Sequence, residues 1–281
     1  KHYFFIPWEE LVKRFFLWEL TGSTINNLWL SSIKNTKIFL PWLSEQEKIA
    51  NYLSKVDKKI ELLEEEKNNT EYYKKWVMQN IFSQKLRFKD KNWEEFGEWE
   101  EKKLINVFKE RKEYSSKWGK YPHVSLTTEW VVPKSERYER DFLVRWDDKQ
   151  YKVTKLGDIC YNPANLKFWV ISKNKLWDGV FSPIYVTFEV VWNNNIDFIE
   201  YFVIRKDFIN KVRKYEEWTV YERMAVKPSD FLSFNVLLPS LKEQEKIANY
   251  LSKINDKIEL IDKKLEGTKE FKKGLLQNMF V

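Results

Sequence analysis

Three stretches of the sequence concentrate forked and bidentate hydrogen-bonding side chains beside cations. The first, KWGKYPHVSLTT, carries Lys117, Lys120, His123, Ser125, Thr127 and Thr128. The second, KSERYER, carries Lys134, Ser135, Arg137 and Tyr138, and the third, NPANLKFWVISKNK, carries Asn162, Asn165, Lys167, Lys173, Asn174 and Lys175. Tyr221 and Arg223 form a shorter fourth group. Forked amides and guanidinium groups suit the donor and acceptor pattern of base edges, and Lys, Ser and Thr suit phosphate oxygens. Residues 98–235 hold 24 basic and 21 acidic side chains, so a basic face there must come from folding rather than bulk charge. Glu139 and Arg140, of opposite sign, are read as pairing with each other.

Catalytic patterns are missing. There is no GxGxxG after a strand, no GxxxxGK[ST] phosphate loop, no HExxH and no nucleophile elbow. YNPANLKF at 161–168 resembles the Asn-Pro-Pro-aromatic motif of amino-methyltransferases, but it lacks the second proline and the adjoining aromatic, and no Gly-rich cofactor loop precedes it. One cysteine, Cys160, and two histidines, His2 and His123, are too few for a disulfide framework or a Cys/His zinc site. The expectation is a chain without metal or cofactor.

The net charge of +7 and pI near 9.1 favour a polyanionic partner, although Lys and Glu are intermixed as on any solvated helical surface. Hydrophobic residues at 43% suffice for a core. No apolar run approaches the roughly 20 residues of a membrane span, and the single cysteine suits a reducing compartment; a soluble, cytoplasmic protein is expected. The start KHYFF is expected to continue an element whose beginning lies upstream.

The elements that must position these residues announce themselves by repetition. LSEQEKIANYLSKVDKKIEL at 43–62 returns as LKEQEKIANYLSKINDKIEL at 241–260, 198 positions later, with 16 of 20 residues identical. Ile49, Leu53, Val56, Ile60 and Leu63 are spaced 4, 3, 4, 3, and Ile247, Leu251, Ile254, Ile258 and Ile261 repeat the rhythm, which is a heptad seam. Ser44 with Glu47 and Ser240 with Glu243 have capping-box spacing after Pro41 and Pro239. Each copy therefore predicts a helix of about 38 residues, or about 57 Å, and the two are expected to pair as an antiparallel coiled coil. Between them, YPHVSLTT, QYKVTKL, SPIYVTFEV, FIEYFVI and FNVLLP read as short β-rich runs separated by Asn, Pro, Asp and Lys clusters. The fold class is α+β, with a mixed domain at 98–235 between helical regions at 39–97 and 236–281. Residues 1–38 read as the tail of a second such domain, because GSTINNLWLSSIKNTKIFLP ends as WTVYERMAVKPSDFLSFNVLLP does.

Fourteen Trp beside seven Gly reverse ordinary usage, since glycine at roughly 7% of a soluble chain predicts about 20 here. Several Trp stand where turn chemistry asks for glycine, among them Trp118, Trp177, Trp192 and Trp218. The repeat sets Trp76 of YYKKWVMQNIF opposite Gly274 of EFKKGLLQNMF. Most of these positions are expected to be glycine in the natural polypeptide, through a stop-type codon read as glycine; Trp99 is expected to be a true tryptophan.

The duplicated PLxEQxKIAxxL phrase opening a long helix after a β-rich domain resembles the specificity subunits of type I restriction-modification systems; here one residue follows the proline in both copies, PWLSEQEKIANYL and PSLKEQEKIANYL. WEEKKLINVF at 99–108, GDICYNPANLKF at 157–168 and DGVFSPIYVTF at 178–188 also resemble phrases of their target recognition domains. The resemblance implies a non-catalytic subunit whose recognition domains each read half of a split double-stranded DNA target. It also implies that the paired helices space those domains and dock methyltransferase subunits and, through them, restriction/translocase subunits. On this basis 1–38 is the remnant of a first recognition domain, and the polar stretches above become candidate DNA contacts. Two other readings are a recognition part of a fused methyltransferase and a coiled-coil scaffold; the first needs a cofactor motif that the sequence lacks, and the second does not require the β-rich domain.

Overall fold

In chain order the helices of the computed structural model are α1 (Leu43–Phe82), α2 (Ile196–Val203), α3 (Lys206–Val212), α4 (Pro228–Ser233) and α5 (Leu241–Met279). The described residues are 34, 41–116, 120–134, 150–218 and 224–279. α1 and α5, of 40 and 39 residues, are the two copies of the repeat, each about 60 Å long. The chain divides into two compact units, Lys1–Val77 with Lys253–Val281 and Met78–Ser252. The expected tail at 1–38 lies almost wholly outside the described residues.

In the first unit the long helices run antiparallel. Four ion pairs link them: Asp57–Lys272 at 2.5 Å, Glu64–Lys269 at 2.6 Å, Lys67–Asp262 at 2.7 Å and Glu66–Lys257 at 3.2 Å. From Asp57–Lys272 through Glu64–Lys269 to Lys67–Asp262 the position on α5 falls as that on α1 rises, which a parallel pair cannot produce. The seam keeps its 4, 3 rhythm through the polar positions. Val56, Thr70 and Val77 are buried on α1, as are Ile254, Ile261 and Thr268 on α5, with Ile60, Leu63 and Ile258 half-buried. Thr70 and Thr268 occupy the same place in the two copies, and each hydroxyl donates to a carbonyl one turn back, Glu66 O and Lys264 O, both at 2.7 Å. A buried hydroxyl so satisfied avoids most of its desolvation cost.

Both helices open on the same device. Gln46 Nε2 donates to Pro41 O at 2.7 Å, and in the other unit Gln244 Nε2 donates to Pro239 O at 3.0 Å. The duplicated EQ thus has a physical reason, since a side-chain amide satisfies the carbonyl at the entry to each helix. Ser240 Oγ accepts from Glu243 N as the capping-box spacing predicts. Ser44 does not cap: α1 already begins at Leu43, and Trp42 O accepts from Glu45 N and Gln46 N. Trp42, not Ser44, is the counterpart of Ser240 in the repeat.

The second unit is the β-rich one. Its strands are β1 (Glu100–Lys103), β2 (Phe108–Glu110), β3 (Tyr114–Ser116), β4 (Val124–Leu126), β5 (Val131–Pro133), β6 (Gln150–Thr154), β7 (Ile159–Tyr161), β8 (Ile171–Lys173), β9 (Gly179–Phe181), β10 (Val186–Val190), β11 (Glu217–Trp218), β12 (Met224–Ala225) and β13 (Asn235–Leu238). They form a four-stranded sheet in the order β2-β10-β7-β8, a three-stranded sheet β3-β6-β9, and the pairs β1-β13, β4-β5 and β11-β12, all antiparallel. β1 pairs with β13, Glu100 opposite Leu238, and so ties the two ends of the globular part. Its core is aromatic, with Phe108, Tyr161, Phe188 and Phe231 at centroid distances of 5.1–5.9 Å. Tyr161 Oη donates to Val226 O at 3.1 Å, and burial pushes its phenol pKa up.

One expected strand is a helix. FIEYFVI lies in α2, where Asn195 accepts from Phe198 N at 2.9 Å as an N-cap. Phe198, Ile199, Phe202 and Val203 are buried at i, i+1, i+4 and i+5, a helical spacing that the aromatic and β-branched composition conceals.

Candidate nucleic-acid interface

The first and third polar stretches converge because their apolar residues share one cluster. Val124, Leu126 and Val131 of the β4-β5 hairpin pack with Cys160, Val170 and Phe181, and Leu176 covers them. Val180 N donates to Pro122 O at 2.9 Å, and His123 forms a parallel bridge with Val180. Residues 120–134 therefore lie beside 170–181. The chain at 224–226 is bound to the same region, since Val226 N donates to Pro163 O at 3.3 Å. Lys117, Ser135, Arg137, Tyr138, Tyr221 and Arg223 lie outside the described residues.

Within this face the side chains differ in what they present. Lys120, Thr128 and Lys167 are exposed, and Lys134 and Asn165 are half-buried. Lys167 Nζ sits 5.0 Å from the Phe168 ring centroid. Thr127 closes its own turn: its hydroxyl donates to Trp130 O at 2.8 Å and accepts from Glu129 N and Trp130 N. Ser125 is half-buried in β4, and His123 packs edge-on to Tyr151 at 4.7 Å.

Two of the expected contact residues, Asn162 and Asn174, are buried and serve the fold, and two more, Lys173 and Lys175, are paired with carboxylates of α2. Asn174 is fully buried; its amide donates to Lys155 O, Trp177 O and Thr154 Oγ1 and its carbonyl accepts from Leu176 N, which uses the group completely. Asn162, 5% exposed, caps the 3-10 turn Pro163–Phe168 by accepting from Ala164 N at 3.1 Å. Lys173 is held by Asp197 and Glu200 of α2, and Lys175 by Glu200 at 2.6 Å. An amide with its donors and acceptors consumed internally has nothing left for a base edge. For the two lysines, the carboxylates of α2 compete with phosphate.

Sequence reasoning also missed a supporting ion pair. Arg111 forks onto Asp158 at 2.7 and 2.9 Å, and Asp158 is 2% exposed. The hydrogen bond to Asp158 raises the Arg111 pKa against the opposing effect of burial. Asp158 Oδ2 also accepts from Lys155 N at 2.8 Å, which fixes the turn from β6 into β7 that leads to Asn162. The only sequence signal was the mixed charge of ERKE and LGD. Arg87 likewise forks onto the buried Glu243 at 2.8 and 3.0 Å, so the first Glu of the phrase in its second copy carries a packing role. No group of three or more metal-ligating side chains occurs among the described residues, and none of their helices is long and apolar enough to cross a membrane.

Residues 2–72 match the family model of the type I restriction modification DNA specificity domain. The fold is similar to that of the HsdS subunit from Thermoanaerobacter tengcongensis, at TM-score 0.51 and 16% identity over 95% of this chain and 67% of that one. It is also similar to the S subunit of the type I restriction-modification system of M. genitalium, at TM-score 0.53 and 17% identity over 92% of this chain and 67% of that one. A third similar chain comes from a structure of type I system assembly and conformational transition, at TM-score 0.53 and 15% identity over 97% and 69%. Residues 2–72 thus match the type I restriction modification DNA specificity domain, and along nearly its whole length the chain has a fold similar to that of the HsdS and S subunits.

Proposed function

We propose that this chain is the DNA-recognition component of a type I restriction-modification complex, non-catalytic itself, that directs methyltransferase and restriction subunits to a split duplex target. Residues 98–235 act as one recognition domain and 1–38 as part of another. The helical regions 39–97 and 236–281 space the two half-sites and receive the methyltransferase subunits. The chain works in the cytoplasm, where its DNA is, and leaves S-adenosylmethionine and ATP to its partners.

The observation that supports the DNA assignment is that 120–134 packs beside 170–181 and 224–226 is bound to Pro163, in a chain whose residues 2–72 match a DNA specificity domain. An antiparallel pair of helices built on one repeated phrase supports a split target, because it relates equivalent positions by an approximate two-fold axis, as half-sites are related in DNA. Methylation mapping of DNA from the cells that carry the gene tests this. A two-part motif is expected, with one half changing when residues 98–235 are exchanged for those of another such protein. An unmodified genome, or a motif indifferent to the exchange, would refute it.

A further inference from the structure

The aromatic excess has a structural counterpart in the backbone. Among the described residues only three other than glycine have positive φ, and two of them are tryptophans: Trp93 at 66° and Trp169 at 58°. That left-handed region brings Cβ against the backbone carbonyl and is the usual territory of glycine; a bulky side chain there is an outlier. Trp169 ends the 3-10 turn Pro163–Phe168, its N–H donating to Leu166 O at 2.9 Å, where a terminating glycine is favoured. Trp93 closes the turn from Asp90, whose carboxylate accepts from Asn92 N and Glu94 N.

Other tryptophans lie in tight loops and at a helix entry. Thr127 and Asn174 each donate from the side chain to the carbonyl of the tryptophan three residues on, Trp130 O at 2.8 Å and Trp177 O at 3.0 Å. Trp42 stands where α1 is entered, a site that accepts glycine but not a large apolar group. Trp42, Trp93 and Trp192 are 82–89% exposed, so they bury little for their size. Trp99 is the contrast: 7% exposed, it packs edge-on against Phe82 at 6.3 Å and Phe198 at 6.4 Å.

We infer that the natural polypeptide carries glycine at Trp93 and Trp169, and at the exposed positions Trp42, Trp130, Trp177 and Trp192, while Trp99 is a genuine tryptophan. The codon at the former positions is read as glycine in the cells that carry the gene. For the interface the consequence, which rests on the function proposed above, is specific. Positions 130, 169 and 177 then offer no ring for stacking, which leaves the exposed Phe168 as the aromatic of the 163–169 loop, and the contact of Lys206 with the Trp169 ring at 5.3 Å does not exist in the natural protein. Those positions suit close backbone approach to a duplex rather than stacking on unpaired bases.

Tandem mass spectrometry of the protein purified from those cells, on peptides spanning 88–99 and 162–176, tests the assignment independently of any DNA binding. Glycine at 93 and 169 with tryptophan at 99 is the expected result. Tryptophan at either 93 or 169, or glycine at 99, would overturn it.

Discussion

Ile261 and Leu260 are neighbours on α5, and their substitution tests the helix pairing. Ile261 is 2% exposed in the seam, whereas Leu260 is 52% exposed. Replacing Ile261 by alanine removes three buried carbons and leaves a void, at a cost of about 2 to 5 kcal/mol. Alanine's better helix propensity returns about 0.4 kcal/mol, so a net loss of about 1.5 to 4.5 kcal/mol is expected. For Leu260→Ala the exposed side chain leaves little to lose, and the change should fall within about 0.5 kcal/mol. At about 2 to 4 °C per kcal/mol for a chain of this size, Ile261→Ala should lower the helical melting midpoint by roughly 3 to 18 °C, and Leu260→Ala by about 2 °C at most. Thermal melts of the full chain by far-ultraviolet circular dichroism make the measurement. Equal shifts for the two variants would refute the seam, because two adjacent helical residues can be equally important only if the buried stripe is elsewhere.

Further outcomes follow from the same geometry. Asp57→Lys should lose stability through repulsion from Lys272, and Lys272→Asp in the same chain should restore most of it; the pair is half-exposed, so each step is expected at about 0.2 to 1 kcal/mol, and failure of the double variant to recover would argue against the antiparallel register. Asp158→Asn removes the close partner of the largely buried Arg111, leaving the longer contacts to Glu189 at 3.6 Å and Glu113 at 3.9 Å, and should cost about 1.5 to 3 kcal/mol in denaturant unfolding; a change under about 0.5 kcal/mol would mean the ion pair is not structural. Cys160 is fully buried and its thiol pKa is pushed up by burial, so alkylation in the native state should be negligible and appear only with unfolding of the second unit; rapid native labelling would contradict the packing. Lys167→Ala should weaken cognate and scrambled duplexes alike and lower the salt slope by about 1, whereas Arg137→Ala, if it reads a base, should cost roughly 1 to 3 kcal/mol on the cognate half-site alone; titrations at several salt concentrations separate the two.

The sequence by itself determined the long helices, their repeat and their seam, because a heptad rhythm is a local property: Val56, Ile60 and Leu63 face one way whatever lies opposite. It also determined that a β-rich segment lies between them, since alternation and turn residues at β4, β6, β10 and β13 act within a few positions. Direction of pairing was a different matter. The seam alone suits either direction, and only the tertiary structure, through Asp57–Lys272 and Lys67–Asp262, decided for antiparallel. α2 was hidden because its helical cap, Asn195, sits among three asparagines while its aromatic face reads as strand. The interface was legible as composition but not as surface. Asn174 and Lys120 belong to the same residue classes that contact nucleic acid, yet one is consumed by buried hydrogen bonds and the other is exposed, a distinction set by residues up to 20 positions away such as Thr154 and Trp177. Polar side chains find partners through space, so their availability is a property of the fold and not of the residue.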